Sequence, residues 1–222
     1  MDLRKKAKKS ISSDEVYDLL KRELIQFEFR PGQLLSEKEI ISKYGLSRTP
    51  VRNALSKMER DGIIEIIPRK GAFIKFLSIK DAVEIFEVRK ALEGLAASLA
   101  SRNVDLEELG QFEKYYSDTL QNTQNENPQE VSDFGIRFHE FIINCAANHR
   151  IKNILEGLRV QLEICRIFFL HQNSKVQPSR TIQSIKEHLE IIEALKMRNE
   201  ELAEARMRNH IANAEKHTLT FE

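Results

Sequence analysis

The chain has 222 residues, of which 41% are hydrophobic and 31% charged. That is an ordinary composition for a soluble globular protein, with length for one large domain or two modest ones. No apolar run approaches the ~18 residues that cross a bilayer, and the basic start MDLRKKAKKS leads into no apolar segment, so neither a membrane anchor nor a secretory leader is expected, and the cytoplasm is the expected location.

The net charge of +1 is unevenly placed. Residues 1–77 carry 17 Lys+Arg against 11 Asp+Glu, or +6, and residues 78–222 carry 18 against 23, or −5. A basic first third on an acidic remainder suggests that only the first part meets a polyanion. Cys145 and Cys165 sit in helical, apolar stretches and form no CxxC pattern, so both read as buried free thiols rather than redox or metal groups.

Ser12 and Glu15 are spaced as a capping box, and behind them Val16, Leu19, Leu20, Leu24 and Phe27 recur at helical spacing. Arg30-Pro31-Gly32 turns the chain. Ser36 and Glu39 open a short second helix that carries Ile40, Ile41 and Tyr44 and stops at Gly45, where a left-handed residue is needed. A third helix begins within SRTPVRNALSKMERDG, capped by Ser47 or Thr49, with Pro50 in the first turn, where its missing N–H is harmless. Its inner face is Val51, Ala54, Leu55 and Met58. Arg48, Arg52 and Asn53 therefore fall on or near the outer side, close to the helix N-terminus. Two short helices around a glycine turn, the second presenting arginines from its first turns, have the geometry of a recognition helix in a major groove. After Gly62 the period changes. Ile63–Ile67 and Ala72–Phe76 are β-branched or aromatic runs flanking Pro68-Arg69-Lys70-Gly71, which reads as a hairpin whose tip carries two cations and a glycine that can approach a phosphate closely.

The stretch from Val16 to Ile74, with PGQLLSEKEI, GLSRTPVRNAL, MERDGII and RKGAFI, resembles the GntR family of bacterial transcription regulators. The resemblance implies a winged helix-turn-helix on double-stranded operator DNA. Arg48 and Arg52 would reach bases or phosphates in the major groove, supported by Thr49 and Lys38. Glu37 would orient an arginine and Gly71 would enter the minor groove, while the wing cations Arg69 and Lys70 are further DNA-binding candidates. Asn53 stands where the family usually has glutamate, so operator preference does not transfer from relatives.

From Ser78 onward the chain reads as six helices without a strand. Ser78 with Asp81 opens the first, whose apolar positions are Ile85, Val88, Leu92, Leu95 and Leu99, and Asp105 with Glu108 opens the second. The polar stretches 122–128 and 172–178 read as loops. Between and after them lie helices from Pro128 to Asn148, Arg150 to Phe169, Ile182 to Met197 and Glu200 to Lys216, which suggests an antiparallel bundle. The fold class expected for the whole is mostly α, a winged helix-turn-helix over 1–77 and an all-helical domain over 78–222.

FEVRKALEGLAASLA, FHEFIINCAAN and EHLEIIEAL resemble the helical effector domain of the FadR-type branch, called FCD. The resemblance implies a homodimer and a small-molecule effector. It also implies a divalent metal, Zn²⁺ or Ni²⁺, on His139, His188 and His210, with a metal-free pocket of hydrogen-bonding histidines as the alternative. The family's aspartate, one helical turn before the first histidine, is here Gly135, and the nearby Asp133 points about 120° away on an ideal helix. His149, His171 and His217 lie outside the pattern and read as surface residues. Arg89, polar on an apolar face, is a candidate anchor for a carboxylate effector, with a salt bridge inside the bundle as the alternative. The segment Ile79–Ala100, directly after the wing, is the expected lever between effector and DNA.

A three-histidine metal with a water is also a reasonable hydrolase core. No general base is placed to act on that water, however, and no nucleophile elbow, P-loop or dinucleotide fingerprint occurs. A ligand-controlled regulator, acting as a repressor and not as an enzyme, is the function expected. An architectural DNA binder would have no need of the acidic second domain.

Overall fold

The computed structural model describes residues 11–25, 32–75, 78–122, 128–172 and 178–219, with the side chains of 25, 128, 129, 163–172, 178 and 179 outside that description. The chain divides into two compact units, Met1–Leu77 and Ser78–Glu222. The fold is mostly helical, with one small sheet.

In the first unit, α1 (Ser13–Ile25), α2 (Glu37–Tyr44) and α3 (Arg48–Arg60) pack beside three short strands, β1 (Leu34–Leu35), β2 (Ile64–Ile67) and β3 (Gly71–Ile74). Each helix start uses the local chemistry of its cap. The Ser12 hydroxyl accepts from Glu15 N–H while the Glu15 carboxylate accepts from Ser12 N–H, a complete box. At α2 only half of the box forms, with Ser36 Oγ accepting from Glu39 N–H. Ser47 holds the cap position of α3, but its hydroxyl makes no cap hydrogen bond, and Thr49 lies inside the helix. The reason is Pro50, which stands third in the helix and has no N–H to offer. Gly45 ends α2 at φ 64° with its N–H on the Ile41 carbonyl, as expected of a left-handed stop.

Val51, Ala54, Leu55 and Met58 form the buried face of α3. They meet Val16, Leu20 and Leu24 of α1, together with Ile63 and Ile74, in one apolar core. Phe27, Arg30, Pro31 and Phe76 lie outside the described residues. The hairpin is present, but the sheet has a third strand that periodicity did not suggest. β3 lies between β2 and β1, with Leu34 opposite Phe73 and Ile66 opposite Ala72. Two residues are too short a run to show alternation.

The second unit contains α4 (Ile79–Asn103), α5 (Leu106–Gln121), α6 (Pro128–Cys145), α7 (His149–Gln172), α8 (Pro178–Lys196) and α9 (Glu200–Leu219). Ser78 and Asp81 make a full capping box on α4, and Asp105 accepts from two N–H groups at the start of α5. The other end of α4 is closed by Arg198, which donates to the Ser101 and Arg102 carbonyls that the helix leaves unpaired. Of the loops expected at 122–128 and 172–178, residues 123–127 and 173–177 lie outside the described residues, while Pro128, Gln172 and Pro178 are helical.

An aromatic cluster centres the bundle, where Phe112 stands 5.3 Å from Phe138 and 5.1 Å from Phe141, ring centre to ring centre. The buried face of α4 differs from the one expected. Ala82, Ile85, Phe86, Ala96, Ala97 and Ala100 are buried, whereas Val88 and Leu95 remain exposed. Small side chains let α9 come close. A Cβ on Gly94 would lie 2.6 Å from Arg208 Cγ, so the glycine is what admits that arginine stem. Cys145 is half-buried rather than buried, and burial raises its thiol pKa. The Cys165 side chain lies outside the description.

The wing turn carries the sharpest backbone demand of the first unit. Arg69 is left-handed at φ 66° and Gly71 stands at φ 119°. A Cβ on Gly71 would meet Leu34 Cδ1 at 2.7 Å, but that leucine tip is exposed and can swing aside, so the dihedral is the lasting obstacle. Gly71→Ala is therefore expected to lower stability by about 1–3 kcal/mol, read as a lower midpoint in thermal unfolding. An unchanged midpoint would show that the glycine matters for DNA approach alone.

Candidate functional site

On the first unit, α2 and α3 bring the expected DNA-reading residues to one surface. Glu37 receives both arginines: Arg52 Nε lies 3.2 and 2.9 Å from its two carboxylate oxygens, and Arg48 Nε lies 3.2 Å from Oε1. Both arginine side chains stay largely exposed, at 72% for Arg48 and 63% for Arg52. Exposed pairs of this kind contribute little to stability, so their effect is to orient the two guanidinium forks. Thr49 and Asn53 are exposed beside them. A groove between α3 and the sheet is lined by Glu37, Lys38 and Arg52 on one side and by Lys70 and Gly71 on the other. The exposed Arg69 completes the cationic wing tip.

On the second unit, α6, α8 and α9 each place one imidazole at a common point. His139, His188 and His210 offer ligand atoms that all lie within 4.8 Å of one another. His139 Nε2 is 3.2 Å from His210 Nε2 and 3.4 Å from His188 Nε2. Behind two of the rings stand buried carboxylates. Glu93 Oε2 is 2.5 Å from His139 Nδ1, and Glu187 Oε2 is 2.8 Å from His210 Nδ1. Each carboxylate is itself held. Arg89 Nε lies 2.5 Å from Glu93, while Gln183 and Asn213 donate to Glu187.

The electrostatics decide the tautomers. Burial works against the charge on Glu93, but Arg89 and His139 beside it outweigh that and hold the carboxyl well below the usual carboxylate range. Glu187 is likewise lowered, with burial opposed by the hydrogen bonds from His210 and Gln183. Burial pushes His210 down to about 4, against the pull of Glu187, so that ring is neutral at pH 7. An ionised carboxylate can only accept, so Nδ1 of His139 and of His210 carries the proton, and neutral His210 turns the lone pair of its Nε2 inward, 3.2 Å from His139 Nε2.

The separations suit a first-row divalent ion. Nitrogens about 2.0–2.1 Å from a tetrahedral ion stand about 3.3–3.4 Å apart, which matches the spacing of His139 from its two neighbours. A carboxylate on the far nitrogen of a ligating imidazole is also the usual support of such a site. The donor set therefore fits a divalent metal, with room in its shell for further ligands.

Gly135 is buried at this centre, and a Cβ built on it would stand 3.4 Å from His188 Cε1, ordinary contact. A carboxylate at 135 would thus lie beside the histidines, and none is there. Asp133 instead is exposed and lines an outer groove with Tyr115, Arg137 and Glu140. Arg89 makes the internal salt bridge to Glu93, at 7% exposure. His149 and His217 are exposed, and the His171 side chain lies outside the description.

Glu93, Glu187, Tyr116 and Arg180 are participants that the sequence did not reveal. The Tyr116 ring centre is 4.9 Å from that of His188, and Arg180 Nη1 is 3.6 Å from Glu187 Oε2. The pairings span 46 residues from Glu93 to His139 and 23 from Glu187 to His210, beyond any helical periodicity. The only available signal was Glu93 four residues after Arg89, a spacing that forms ion pairs on a helix.

A helix-turn-helix with a cationic wing, joined in one chain to a helical unit centred on three histidines, defines a DNA-binding transcription regulator. Residues 12–74 match "Bacterial regulatory proteins, gntR family" and residues 84–213 match the "FCD domain". The chain belongs to the GntR family of transcription regulators, in the branch that carries an FCD domain. It is similar to the uncharacterized HTH-type transcriptional regulator YdhC of Bacillus subtilis (strain 168), with 31% identity over 92% of this chain and 91% of that one. It is also similar to the HTH-type transcriptional repressor RspR of Escherichia coli (strain K12), with 24% identity over 90% of this chain and 85% of that one. Among solved structures, E. coli McbR/YncC has the same fold, with a TM-score of 0.74 at 19% identity, covering 93% of this chain and 96% of that chain. The family and these relatives are transcription regulators rather than enzymes, which leaves the hydrolase alternative without support. Among the described residues no helix is long and apolar enough to cross a membrane.

Proposed function

We propose that this regulator represses transcription from a two-fold operator, and that a small carboxylate effector bound with a divalent metal in the helical unit sets its DNA affinity. The observation that carries the DNA half is the pair Arg48 and Arg52, exposed on the first turns of α3 and oriented by Glu37. The observation that carries the effector half is the convergence of three imidazole Nε2 donors backed by buried glutamates. Repression is suggested by RspR, which is named a repressor. The cytoplasm, where the operator is, is the location that goes with this role. A metal on the histidines supplies a fixed positive centre for an anion. Binding can alter operator affinity only if the ligand distinguishes the DNA-competent arrangement from the incompetent one.

Arg48, Arg52 and Asn53 read the major groove in this account, with Thr49 and Lys38 on the adjacent backbone and Arg69, Lys70 and Gly71 at the minor groove. Operators read by such helices are two-fold because a homodimer sets one helix in each half-site. Val88 and Leu95, left exposed on α4, are apolar surface that a second copy would bury. Arg52→Ala is expected to abolish specific operator binding with the fold intact, since an arginine fork on guanine contributes about 1–3 kcal/mol of discrimination and a dimer loses two. Gel-shift titration on the promoter of the adjacent operon decides this, with light scattering on the same sample expected at twice 25.8 kDa. Wild-type affinity and preference in the variant would remove α3 from the reading role, and a monomer would remove the two-fold.

For the metal, elemental analysis of untagged protein is expected to show a first-row divalent ion that is lost in His188→Ala. Gly135→Asp, which has room for its Cβ, is expected to tighten the metal and weaken a carboxylate effector by supplying the negative charge that the ion lacks. Metal content unchanged in His188→Ala and not raised by added Zn²⁺ or Ni²⁺ would reduce the histidines to a hydrogen-bonding cluster.

A further inference from the structure

Glu37 is a carboxylate set within a cationic surface. It is the first residue of α2 and lines the groove that Lys38, Arg52 and Lys70 also line. Both of its arginine partners meet it at the same kind of atom. The hydrogen bonds from Arg52 leave from Nε, at 3.2 and 2.9 Å, and Arg48 also approaches by Nε, at 3.2 Å. Among the described residues the Nη1 and Nη2 groups of these two arginines make no hydrogen bond. That end of a guanidinium is free to meet the O6 and N7 acceptors of a guanine.

The charges set phosphate apart from base. Glu37, Arg48 and Arg52 together carry one positive charge, where the arginines alone would carry two. Every stretch of B-DNA presents the same phosphates, so contacts to them bind without regard to sequence. A helix start favours an anion, but at α2 the carboxylates of Glu37 and Glu39 already stand there. A phosphate brought to this point meets a like charge. A guanine edge is uncharged and meets the forks at the end that Glu37 leaves open. The carboxylate therefore opposes a complex held by phosphates more than one held by base edges, and a difference of that kind is specificity.

We propose that Glu37 is a specificity-determining residue, which opposes phosphates at the Arg48–Arg52 pair and so widens the gap between operator and non-operator DNA. This inference rests on the reading that α2 and α3 meet the major groove. The test uses the full chain and two duplexes of equal length, one selected by the wild-type protein from a random pool and one a scramble of it. Each is titrated by fluorescence anisotropy over a range of salt concentrations. Glu37→Gln removes the charge while keeping the length and an acceptor oxygen. It is expected to bind the scramble about threefold or more tighter, where one screened contact between exposed charges accounts for up to about fivefold. The fall of log affinity with log salt on the scramble is expected to steepen, by up to about 0.9 for each phosphate no longer opposed. The ratio of the two affinities is expected to shrink by about threefold or more. Glu37→Asp keeps the charge and is expected to keep the wild-type affinity and salt slope on the scramble.

A scramble bound no more tightly by Glu37→Gln, with its salt slope unchanged, would overturn the proposal and leave Glu37 as a group that only positions the arginines. Equal tightening on both duplexes would overturn it too, since the ratio would stand. Selection of a different sequence by the variant, without tighter binding of the scramble, would instead make Glu37 a reader of a base. A wild-type chain that selects no sequence and binds no duplex in a salt-dependent way would overturn the DNA reading along with it.

Discussion

Two carboxylate–imidazole contacts, Glu93 on His139 and Glu187 on His210, hold the polar centre of the helical unit together. Burying ionised carboxylates, guanidinium groups and imidazoles among Phe112, Phe138 and Ile191 is unfavourable for any one of them alone. It is tolerable as a connected network in which each charge has a partner and each ring a fixed tautomer. The network draws Arg89 and Glu93 from α4, His139 from α6, Glu187 and His188 from α8, and His210 from α9. Four helices are thereby tied at one point, and a change at that point is felt by all four. The small-residue face of α4 serves the same end, because Gly94 and the alanines around it let α9 approach and bring His210 into range.

The surface proposed to read DNA uses the same device in the opposite setting. Glu37 also fixes cationic groups by accepting from them, but in solvent, where an ion pair adds little stability. Its value lies in orientation, since a guanidinium held in plane loses less freedom when it meets a base edge. One carboxylate in water arranges arginines for a polyanion. Two carboxylates in the core arrange two of the three imidazoles that converge there.

Much of this was legible in the residues themselves. Apolar spacing picked out Val51, Ala54, Leu55 and Met58 as the buried face of α3, and cap residues marked the starts of α1, α2, α4 and α5. Those signals are local, carried within one or two turns. The failures are non-local. β1 is two residues long and exists only because β3 pairs with it. The idle Ser47 cap is a local exception, because Pro50 three residues on has no N–H to offer. Val88 and Leu95 have the right period for a core face, yet α9 packs on the alanines instead. The histidines came from resemblance to a family, and their glutamates came from neither resemblance nor period, because they lie 46 and 23 residues from the rings they support.

His139, His188 and His210 are proposed to form a preorganised set of metal donors. X-ray absorption at the zinc edge, on the full chain loaded with one equivalent of Zn²⁺, tests it most directly. The geometry predicts nitrogen or oxygen neighbours at about 2.0–2.1 Å, with the outer-shell scattering of the three imidazoles that converge here. A first shell without imidazole scattering would contradict it.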